Sequence, residues 1–428
     1  MKTVGIGIAG YGTVGRAAGE IVMSNADTIA RRTGVLLQLS AVCRRSSMPA
    51  DCVPAGVRVV SDWRQIVEAD DVHVVVETIG GTDAAFDIVR SSLERGKAVV
   101  TANKNLLAEH GDKLFDLASE KQLPLGFEAT VAGGVPIVRA ISELTATDCL
   151  RAVYGILNGT ANYILSKMES EGTQFDVALK EAQQAGYAEA DPTFDIEGID
   201  ARDKLCILAR LAFAGKLRAT SIPVMGITRV SATDIHYASR LDSTIRLVAA
   251  GERNGENFEL SVRPWMVNKH SMLAKVQGVH NAVFLVGEKV GTQMFYGRGA
   301  GGGPTGAAVV ADLVEISRQF AAGRLTAKKI PGFQDSRELT LCPQPRPVPW
   351  YLRLTVADHS GIIAHVAHAL AEQSININSV IQEPNMPKSR LSFVITVEPV
   401  SEPVMRRAVE QIDRAQFMLE PVLLLRIE

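Results

Sequence analysis

The sequence predicts an α/β protein in which a doubly wound parallel-sheet domain is followed by an α+β domain and a small ferredoxin-like domain. Three features of the chain support this prediction. Over roughly the first 130 residues, short apolar runs alternate with amphipathic segments, as in a parallel sheet with crossover helices. Residues 133–303 combine longer helical patterns with β-rich pieces such as 283–290. A proline-rich segment, 331–349, then precedes a βαββαβ order of elements.

Each domain is predicted from its own run of elements. In the first domain, 1–132, strands are predicted at 4–9, 36–42, 57–60, 72–77, 98–101 and 125–128, and helices at 14–24, 83–95 and 106–121. In the last domain, 350–428, strands are predicted at 350–356, 375–382, 390–397 and 419–427, and helices at 362–373 and 403–414. A helix near 304–322 is expected to return to the first domain, and 331–349 to serve as a linker.

The composition is that of a globular protein and excludes several classes of function. The 428 residues carry 45 basic and 47 acidic side chains. The resulting net charge of −2 does not attract the chain to nucleic acid or to acidic lipid. No apolar run reaches the roughly 18 residues of a membrane helix, and the sequence shows no signal peptide. The five cysteines are scattered without metal-ligand spacing, which indicates reduced thiols. We therefore expect a cytoplasmic protein that binds neither nucleic acid nor membranes.

A glycine-rich turn predicts a dinucleotide site at the end of the first strand. The turn has the spacing GxGxxG and consists of Gly10, Tyr11, Gly12, Thr13, Val14 and Gly15. The first glycine permits a tight turn, the second lets the backbone approach a pyrophosphate, and the third lets the helix pack closely on the strand. The helix start then offers free amides to the phosphates. The pattern favours a Rossmann-type NAD(P)-binding domain, and the alternative is an ordinary turn in a chain with 36 glycines.

The end of the second predicted strand favours NADP over NAD. An NAD-specific site usually carries Asp or Glu there to bind the ribose 2′-hydroxyl. Here Arg44 and Arg45 follow Cys43, and residues 42–46 include no carboxylate. Guanidinium groups bind a phosphate through charge-assisted bidentate contacts, which suits the 2′-phosphate of NADP. The alternative is a pair of solvated loop arginines.

A polar stretch at 182–204 carries the densest set of chemical groups. Asp200 and Lys204 are four residues apart, so they lie on one face of a predicted helix. A lysine beside a carboxylate can supply a proton, and carboxylates can bind a cationic group of a ligand. Glu189, Asp191 and Asp195 supply further carboxylates. The alternative is a surface ion pair worth a few tenths of a kcal/mol.

This stretch resembles homoserine dehydrogenases at the fixed positions of that family. The matching residues are Ala182, Gly186, Tyr187, Glu189, Asp191, Pro192, Asp195, Gly198, Asp200 and Lys204. Other segments of the chain resemble the family in the same order, namely 101–104, Glu128 with 131–136, 155–163 and 297–302. The resemblance covers residues 1 to about 330.

The resemblance implies roles for individual residues. Lys104 and Lys204 are expected to contact the reacting hydroxyl and carboxylate ends of the substrate, and one of them to transfer the proton. The expected substrate-binding residues are Glu189, Asp195, Asp200, Asn158, Gly159 and Thr160. Besides the glycine-rich turn and the two arginines, the expected cofactor-binding residues are Thr78, Gly80, Thr101, Lys104 and Gly299.

The resemblance also implies a structural monovalent cation such as sodium. Oxygen ligands suit such a hard cation, and the expected ligands are Glu128, Val131, Gly133 and Val135. The alternative is that Glu128 simply ends a strand.

The C-terminal region resembles the ACT domain, a ferredoxin-like module that binds amino acids. The similar residues lie at 358–363, 374–379 and 382, with Ser360 where many such domains carry proline. The implied effector site consists of Asp358, Gly361, Ile362, Asn376, Asn378 and Gln382, with L-threonine as the expected effector. ACT domains commonly pair across subunits, so a homodimer or homotetramer is expected. The alternative is a dimerisation module that binds no ligand.

The expected activity is reduction of L-aspartate 4-semialdehyde to L-homoserine with NAD(P)H. No kinase-sized segment precedes the first strand, which favours the monofunctional form of the enzyme. One rival is an aspartate-semialdehyde dehydrogenase, which needs a nucleophilic cysteine; Cys149 and Cys206 lack a nearby histidine motif. Another rival is a regulator that binds the same ligands without catalysis, for which the Asp200 and Lys204 pattern would have no use.

Overall fold

The computed structural model describes residues 2–44, 53–335, 337–384 and 387–428. These residues form two compact units. The first unit contains residues 1–157, 200–222 and 280–339, and the second contains 158–199, 223–279 and 340–428. None of the described helices is long and apolar enough to cross a membrane.

The described chain contains fifteen strands and fourteen α-helices. The strands are β1 Lys2–Ala9, β2 Val35–Cys43, β3 Arg58–Val60, β4 Val74–Glu77, β5 Ala98–Thr101, β6 Leu125–Gly126, β7 Leu150–Ile156, β8 Ser243–Asn254, β9 Asn257–Asn268, β10 His280–Gly287, β11 Gly291–Arg298, β12 Val348–Val356, β13 Ile377–Gln382, β14 Leu391–Val400 and β15 Leu423–Ile427. The helices are α1 Thr13–Ser24, α2 Ala26–Thr33, α3 Arg64–Glu68, α4 Asp83–Glu94, α5 Lys104–Glu120, α6 Ile137–Leu144, α7 Gly159–Glu171, α8 Phe175–Gln184, α9 Thr193–Ile196, α10 Ile199–Phe213, α11 Ala232–Arg240, α12 Gly302–Ala321, α13 Ile362–Glu372 and α14 Glu402–Asp413.

The first unit is built on a six-stranded parallel sheet with the order β3-β2-β1-β4-β5-β6. The central strands are buried apolar runs, as expected for strands covered by helices on both faces. This order confirms the predicted doubly wound sheet. Because all six strands are parallel, their carboxyl ends meet at one edge, where ligands of such sheets bind.

The first unit differs from the prediction in the end of one strand and in the presence of two further helices. The last strand ends at Gly126 rather than at residue 128, because Glu128–Thr130 forms a 3₁₀ turn. Two helices, α2 and α3, were not predicted. Helix α2 has only eight residues and buries only Ile29, Ala30 and Thr33, so it offers few apolar positions for a pattern.

Helix α12 packs on the parallel sheet, although it follows the last strand of that sheet by more than 170 residues. Its apolar residues Val309, Leu313 and Ile316 join the core formed by β1, β2 and α1. A Cβ on Gly306 would lie 2.9 Å from the amide nitrogen of Ala18, so glycine permits close packing of α12 on α1. The domain boundaries drawn from sequence remain a prediction.

The first unit also contains three antiparallel strands in the order β11-β10-β7.

The second unit contains six strands in the order β8-β9-β15-β12-β14-β13. Strands β8 and β9 form a long antiparallel hairpin, and β15 joins β9 in parallel register. From β12 to β15 the chain follows the predicted βαββαβ order, with α13 and α14 as its helices. These helices bury Val366, Leu370, Met405 and Ile412 in one core with the strands.

Strands β12 to β15 and helices α13 and α14 form what we call the C-terminal module. This module is attached to α11 through buried polar contacts. Tyr351 on β12 donates from its hydroxyl to Asp234 at 2.9 Å, and Nε of Arg353 lies 3.1 Å from the same carboxylate. The Asp234 side chain is fully buried and that of Arg353 is 10% exposed. Removal of either partner would leave a buried charge uncompensated, so this contact ties the module to the rest of the second unit.

Candidate active site

Two lysines of the first unit share one carboxylate, and we call these three residues the Asp200 cluster. Oδ2 of Asp200 lies 2.7 Å from Nζ of Lys204, one turn later on α10. Oδ1 lies 3.1 Å from Nζ of Lys104, the first residue of α5. The side chains of Asp200 and Lys204 are 11% and 12% exposed. The two ammonium groups can donate to a developing alkoxide, while Asp200 and the nearby Asp203 offset part of their charge.

The main-chain carbonyl of Leu157 holds Lys204 from a second direction. This oxygen accepts from Nζ of Lys204 at 2.8 Å and from Nδ2 of Asn281 at 2.8 Å. Asn281 lies on β10 and is 1% exposed. Asn281 was not predicted from the sequence, because a single amide inside an apolar strand belongs to no recognisable motif. Its donor fixes the carbonyl that orients Lys204.

The turn between β1 and α1 has the backbone contacts that its glycines predict. Gly10 has a φ of +102°, and a Cβ there would lie 2.6 Å from the carbonyl carbon of Thr78. A Cβ on Gly15 would lie 2.2 Å from the carbonyl oxygen of Gly10. At Gly12, a Cβ would meet no described atom within 4 Å, so the backbone is open to a ligand. The first amides of α1 can therefore meet a pyrophosphate, and the turn fits a dinucleotide.

Arg44 follows β2 directly beside this turn. The carbonyl of Cys43 accepts from the amides of Gly10 and Tyr11 at 3.1 and 3.0 Å, which joins the end of β2 to the turn. In this fold the adenosine ribose lies over the end of the second strand. Arg44 is thus placed on the adenosine side of the turn, whereas Arg45 lies outside the described residues. Tyr11 is buried beneath the turn, and Thr13 and Val14 form the first turn of α1.

The predicted cofactor residues Thr78, Gly80 and Thr101 lie just after β4 and at the end of β5. Oγ1 of Thr78 donates to the carbonyl of Gly10 at 2.7 Å, and Gly80 has a φ of +73°. Oγ1 of Thr101 donates to Oε2 of Glu77 at 2.6 Å. From the sequence, Glu77 was predicted only as the end of a strand. A carboxylate at this edge of a parallel sheet is itself a signal of a site.

The glycine-rich segment before α12 reaches the same edge of the sheet. A Cβ on Gly302 would lie 2.9 Å from the carbonyl oxygen of Thr13, so α12 and α1 begin side by side. A Cβ on Gly299 would lie within 2.4 Å of the side-chain amide of Asn281. Glycine is therefore required at both positions by close approach of neighbouring atoms.

Glu128 caps a helix in the first unit. Its two carboxylate oxygens accept from the amides of Val138 and Arg139 at 2.9 and 3.0 Å, at the start of α6. Burial raises the pKa of Glu128, while these hydrogen bonds act in the opposite direction. The other predicted cation ligands are Val131, Gly133 and Val135. They follow Glu128 within seven residues, and all three are buried. Within the described residues no group of three or more His, Cys, Asp or Glu side chains could hold a metal ion.

The predicted substrate residues of the second unit meet around the start of α7. Asn158 caps this helix by accepting from the amide of Ala161 at 2.8 Å, and its Nδ2 donates to Asp195 at 2.7 Å. Thr160 donates to the carbonyl of Tyr187 at 2.7 Å. Helix α7 itself starts at Gly159, and the side chain of Glu189 is exposed. The structure thus brings Asn158 and Asp195 together as one polar group.

The predicted effector residues lie on the C-terminal module. Gly361 has a φ of +92° and precedes α13, whose first residue, Ile362, is buried. Asp358 is paired with Lys388 at 3.5 Å. Asn376 just precedes β13, and Asn378 and Gln382 lie on that strand; all three are exposed.

Comparison with known families and proteins identifies relatives along the whole chain. The homoserine dehydrogenase NAD-binding domain model matches residues 10–128, the homoserine dehydrogenase model matches 136–314, and the ACT domain model matches 350–416. Homoserine dehydrogenases from Neisseria gonorrhoeae and Pseudomonas aeruginosa are each 38% identical to the chain, covering 100% of it and 99% of the relative.

Solved structures give the same result. A homoserine dehydrogenase from Thiobacillus denitrificans is 35% identical, has a TM-score of 0.92, and covers 100% of this chain and 99% of its own. A hyperthermophilic archaeal homoserine dehydrogenase in complex with NADPH is 27% identical, with a TM-score of 0.62, over 76% of this chain and 100% of its own.

Proposed function

The chain belongs to the homoserine dehydrogenase family, and from this premise we propose that the Asp200 cluster carries out the proton transfer of the family reaction. That reaction interconverts L-aspartate 4-semialdehyde and L-homoserine with a nicotinamide cofactor. The observation that supports this role is the single Asp200 carboxylate between Lys104 and Lys204. Two donors at one carboxylate provide both a proton source and a positive charge for the substrate oxygen.

The residues of the Asp200 cluster have different roles in the proposed reduction. A nicotinamide cofactor held by the turn at Gly10–Gly15 would supply the hydride for the aldehyde carbon. An ammonium group of Lys104 or Lys204 gives its proton to the aldehyde oxygen, which becomes the hydroxyl of homoserine. Asp200 keeps both ammonium groups in place and stabilises the lysine that stays charged. Solvent then returns the proton to the neutral lysine.

The family resemblance implies which residues bind the amino-acid portion of the substrate, and we propose the same residues here. Asn158, Gly159 and Thr160 offer amide and hydroxyl donors at the start of α7. By the resemblance, Glu189 and Asp200 offer carboxylates for the ammonium group or a neighbouring water, and Asp195 supports the polar network. This assignment rests on the family resemblance and on the contact between Asn158 and Asp195 at 2.7 Å.

The cofactor is proposed to be NADP(H) in preference to NAD(H). Arg44 lies beside the nucleotide turn, and residues 42–46, at the end of β2, include no carboxylate for a ribose 2′-hydroxyl. A 2′-phosphate would instead meet guanidinium groups of Arg44 and Arg45. A relative bound to NADPH is consistent with this preference.

Two further ligands and an assembly belong to the same proposal. A sodium-like cation would bind oxygens near Glu128, Val131, Gly133 and Val135. L-threonine would bind the C-terminal module at 358–362 and 376–382 and lower activity. The protein would act as a homodimer or homotetramer.

The proposed catalytic role is tested by Lys104→Ala and Lys204→Ala, assayed by loss of NAD(P)H absorbance with aspartate semialdehyde. Each variant should lose about 100- to 10,000-fold in kcat, the range of a general acid or base, and still bind cofactor. Lys113→Ala is the matched control, because Lys113 lies exposed on the same helix as Lys104. Near-normal turnover in both lysine variants would contradict the assignment.

A further inference from the structure

Glu77 is a buried carboxylate to which neither the family resemblance nor the proposed proton transfer gives a role. It ends β4 at the carboxyl edge of the parallel sheet and is 0% exposed. Its Oε1 accepts from the amide of Ile79 at 2.9 Å, and its Oε2 accepts from the hydroxyl of Thr101 at 2.6 Å. The carboxylate therefore joins the loop after β4 to the end of β5.

The network around Glu77 continues to the first residue of the helix that carries Lys104. Oγ1 of Thr101 accepts from the amide of Asn103 at 3.0 Å, so its own proton is directed to Glu77. Asn103 caps α5 by accepting from the amide of Leu106 at 3.1 Å. Through these contacts Glu77 helps to position Lys104, which begins α5.

The charge of Glu77 has no counter-charge among the described residues. No lysine, arginine or histidine of the described chain forms an ion pair with it, and its hydrogen bonds come from neutral groups. Burial raises the pKa of Glu77, while the hydrogen bonds from Thr101 and Ile79 favour the ionised form. An anion buried without a cation is costly, and a cationic ligand nearby would offset part of that cost.

The sheet order decides which half of a dinucleotide would lie near Glu77. The pyrophosphate turn follows β1, and Arg44 follows β2 on one side of it. Strands β4 and β5 lie on the other side of β1. A dinucleotide that extends across the carboxyl edge with its adenosine half over β2 must place its nicotinamide half over β4 and β5. Glu77 and Thr101 end these two strands.

We propose that Glu77 favours the oxidised cofactor over the reduced cofactor, because the oxidised nicotinamide ring carries a positive charge and the reduced ring is neutral. The proposal rests on the proposed binding of the dinucleotide at Gly10–Gly15. It makes Glu77 a specificity-determining residue for the redox state of the cofactor, besides its positioning role toward Lys104. A purely structural role would affect both cofactor forms equally.

The two contributions of Glu77 can be separated by substitution. Glu77→Gln removes the charge but keeps the size, and its amide can accept from only one of the two present donors. Weaker order in the loops should raise the Kd of both cofactor forms, whereas loss of charge should affect the oxidised form alone. Glu77→Asp keeps the charge and shortens the side chain, so it mainly perturbs the loops.

The test compares Kd values for NADP⁺ and NADPH in the full-length protein, by calorimetry and by nicotinamide fluorescence. In Glu77→Gln, the ratio of the Kd for NADP⁺ to that for NADPH should rise by about five- to twentyfold over wild type. Glu77→Asp should keep this ratio within about twofold of wild type. Asp148→Asn removes another carboxylate of the first unit, which accepts from the amides of Lys289 and Val290, and should leave the ratio unchanged.

Equal changes for the two cofactor forms in Glu77→Gln would overturn the proposal. If that variant does not fold, Glu77→Ser provides the same comparison, since its smaller side chain leaves room for water at Ile79 and Thr101. A wild-type protein that binds neither NADP⁺ nor NADPH would instead contradict the proposed dinucleotide site, so the two failures are distinguishable.

Discussion

Lys204 and Asp200 lie one helical turn apart on α10, with Nζ of the lysine 2.7 Å from Oδ2 of the aspartate. The spacing alone is common on exposed helices, where such a pair contributes a few tenths of a kcal/mol. Here both side chains are nearly buried, and Lys104 contacts the second oxygen of the carboxylate. Burial and the third residue distinguish this pair from a surface ion pair.

Asp200→Asn should nearly abolish turnover while the protein stays folded. The amide keeps the size of the side chain but offers only one acceptor, so Lys104 and Lys204 lose their common counter-charge and repel each other. We expect kcat to fall by about 100- to 10,000-fold, with cofactor affinity nearly unchanged. The measurement is steady-state kinetics together with cofactor titration. A fall in kcat of less than about tenfold would show that the shared charge is not needed.

The sequence predicted the local features of this site and not its long-range contacts. The alternation of apolar runs predicted the parallel sheet, and GxGxxG predicted the turn at Gly10, because both patterns arise from neighbouring residues. The i, i+4 spacing likewise predicted the contact between Asp200 and Lys204. The contact of Asp200 with Lys104 joins residues far apart in the chain, and no local pattern specifies it.

Glu77 and Asn281 were missed for different physical reasons. Glu77 stands at the end of the apolar strand β4, where a carboxylate could have been noticed as unusual. Asn281 stands within β10, and only the fold shows that its amide reaches the carbonyl of Leu157. The 3₁₀ turn at Glu128–Thr130 also depends on tertiary contacts, since Glu128 accepts from amides of α6.

Asn281→Leu should lower activity more than stability. Nδ2 of Asn281 fixes the carbonyl of Leu157 that orients Lys204, whereas its buried Oδ1 has no hydrogen-bond partner among the described residues. Replacing the whole amide with an apolar group thus removes a donor and also an unsatisfied acceptor, and the effects on stability partly cancel. We expect kcat to fall about tenfold and the free energy of unfolding to change by less than about 2 kcal/mol.

A second buried asparagine provides the control for this measurement. Nδ2 of Asn162 donates to the carbonyls of Val276 and Gly278 at 3.2 and 2.9 Å, whereas Lys204 donates to the carbonyl of Leu157. Asn162→Leu should reduce stability more than Asn281→Leu does, because two carbonyls lose a donor. Kinetics and chemical denaturation of both variants give the comparison. A loss of stability in Asn281→Leu that accounts for its loss of activity would contradict the orienting role.

Substitution of Arg44 and Arg45 by alanine should change the choice of cofactor. If these guanidinium groups bind the 2′-phosphate, the double variant should bind NADP(H) about tenfold to a hundredfold more weakly. The Kd for NAD(H) should change by less than about threefold, since NAD lacks that phosphate. Arg64→Ala, at an exposed arginine of the same unit, serves as the control. Equal losses for both cofactors would mean that the arginines do not bind the 2′-phosphate.

Cysteine alkylation should leave activity intact. Burial raises the pKa of the Cys206 thiol to about 12, so this thiol stays protonated and unreactive at pH 8. Cys149 is exposed, and its Ser variant should keep full activity. Iodoacetamide treatment followed by mass spectrometry should find Cys206 unmodified. Loss of activity in Cys149→Ser would instead favour the rival chemistry of an aspartate-semialdehyde dehydrogenase, which depends on a nucleophilic cysteine.

Feedback inhibition by L-threonine is expected to act through the C-terminal module. The predicted effector residue Gln382 immediately precedes Glu383, whose carboxylate lies 3.1 Å from His236 and also contacts Arg240 on α11. Glu383 also donates its amide to the hydroxyl of Tyr237 at 3.2 Å. An effector that binds one arrangement of β13 better than another would thus act directly on α11.

The regulatory prediction requires a cut that leaves the first unit complete. Phe333 is fully buried and packs on Phe115 and Phe127, so a truncation at 332 would remove part of that core. We therefore choose a truncation after Gln344 and pair it with the full-length variant Asp358→Ala, which changes only an exposed side chain of the effector site.

Threonine should inhibit the wild-type chain several-fold to about a hundredfold, corresponding to a coupling of about 1–3 kcal/mol. Asp358→Ala should keep wild-type activity without threonine and need at least about tenfold more threonine for half-inhibition. The truncation should be active and insensitive, although less stable because β9 loses its pairing with β15. Methionine and isoleucine serve as comparison effectors in the same assays. Equal inhibition of all three proteins would place threonine in the catalytic site as a substrate mimic, and the C-terminal module would then have no regulatory role.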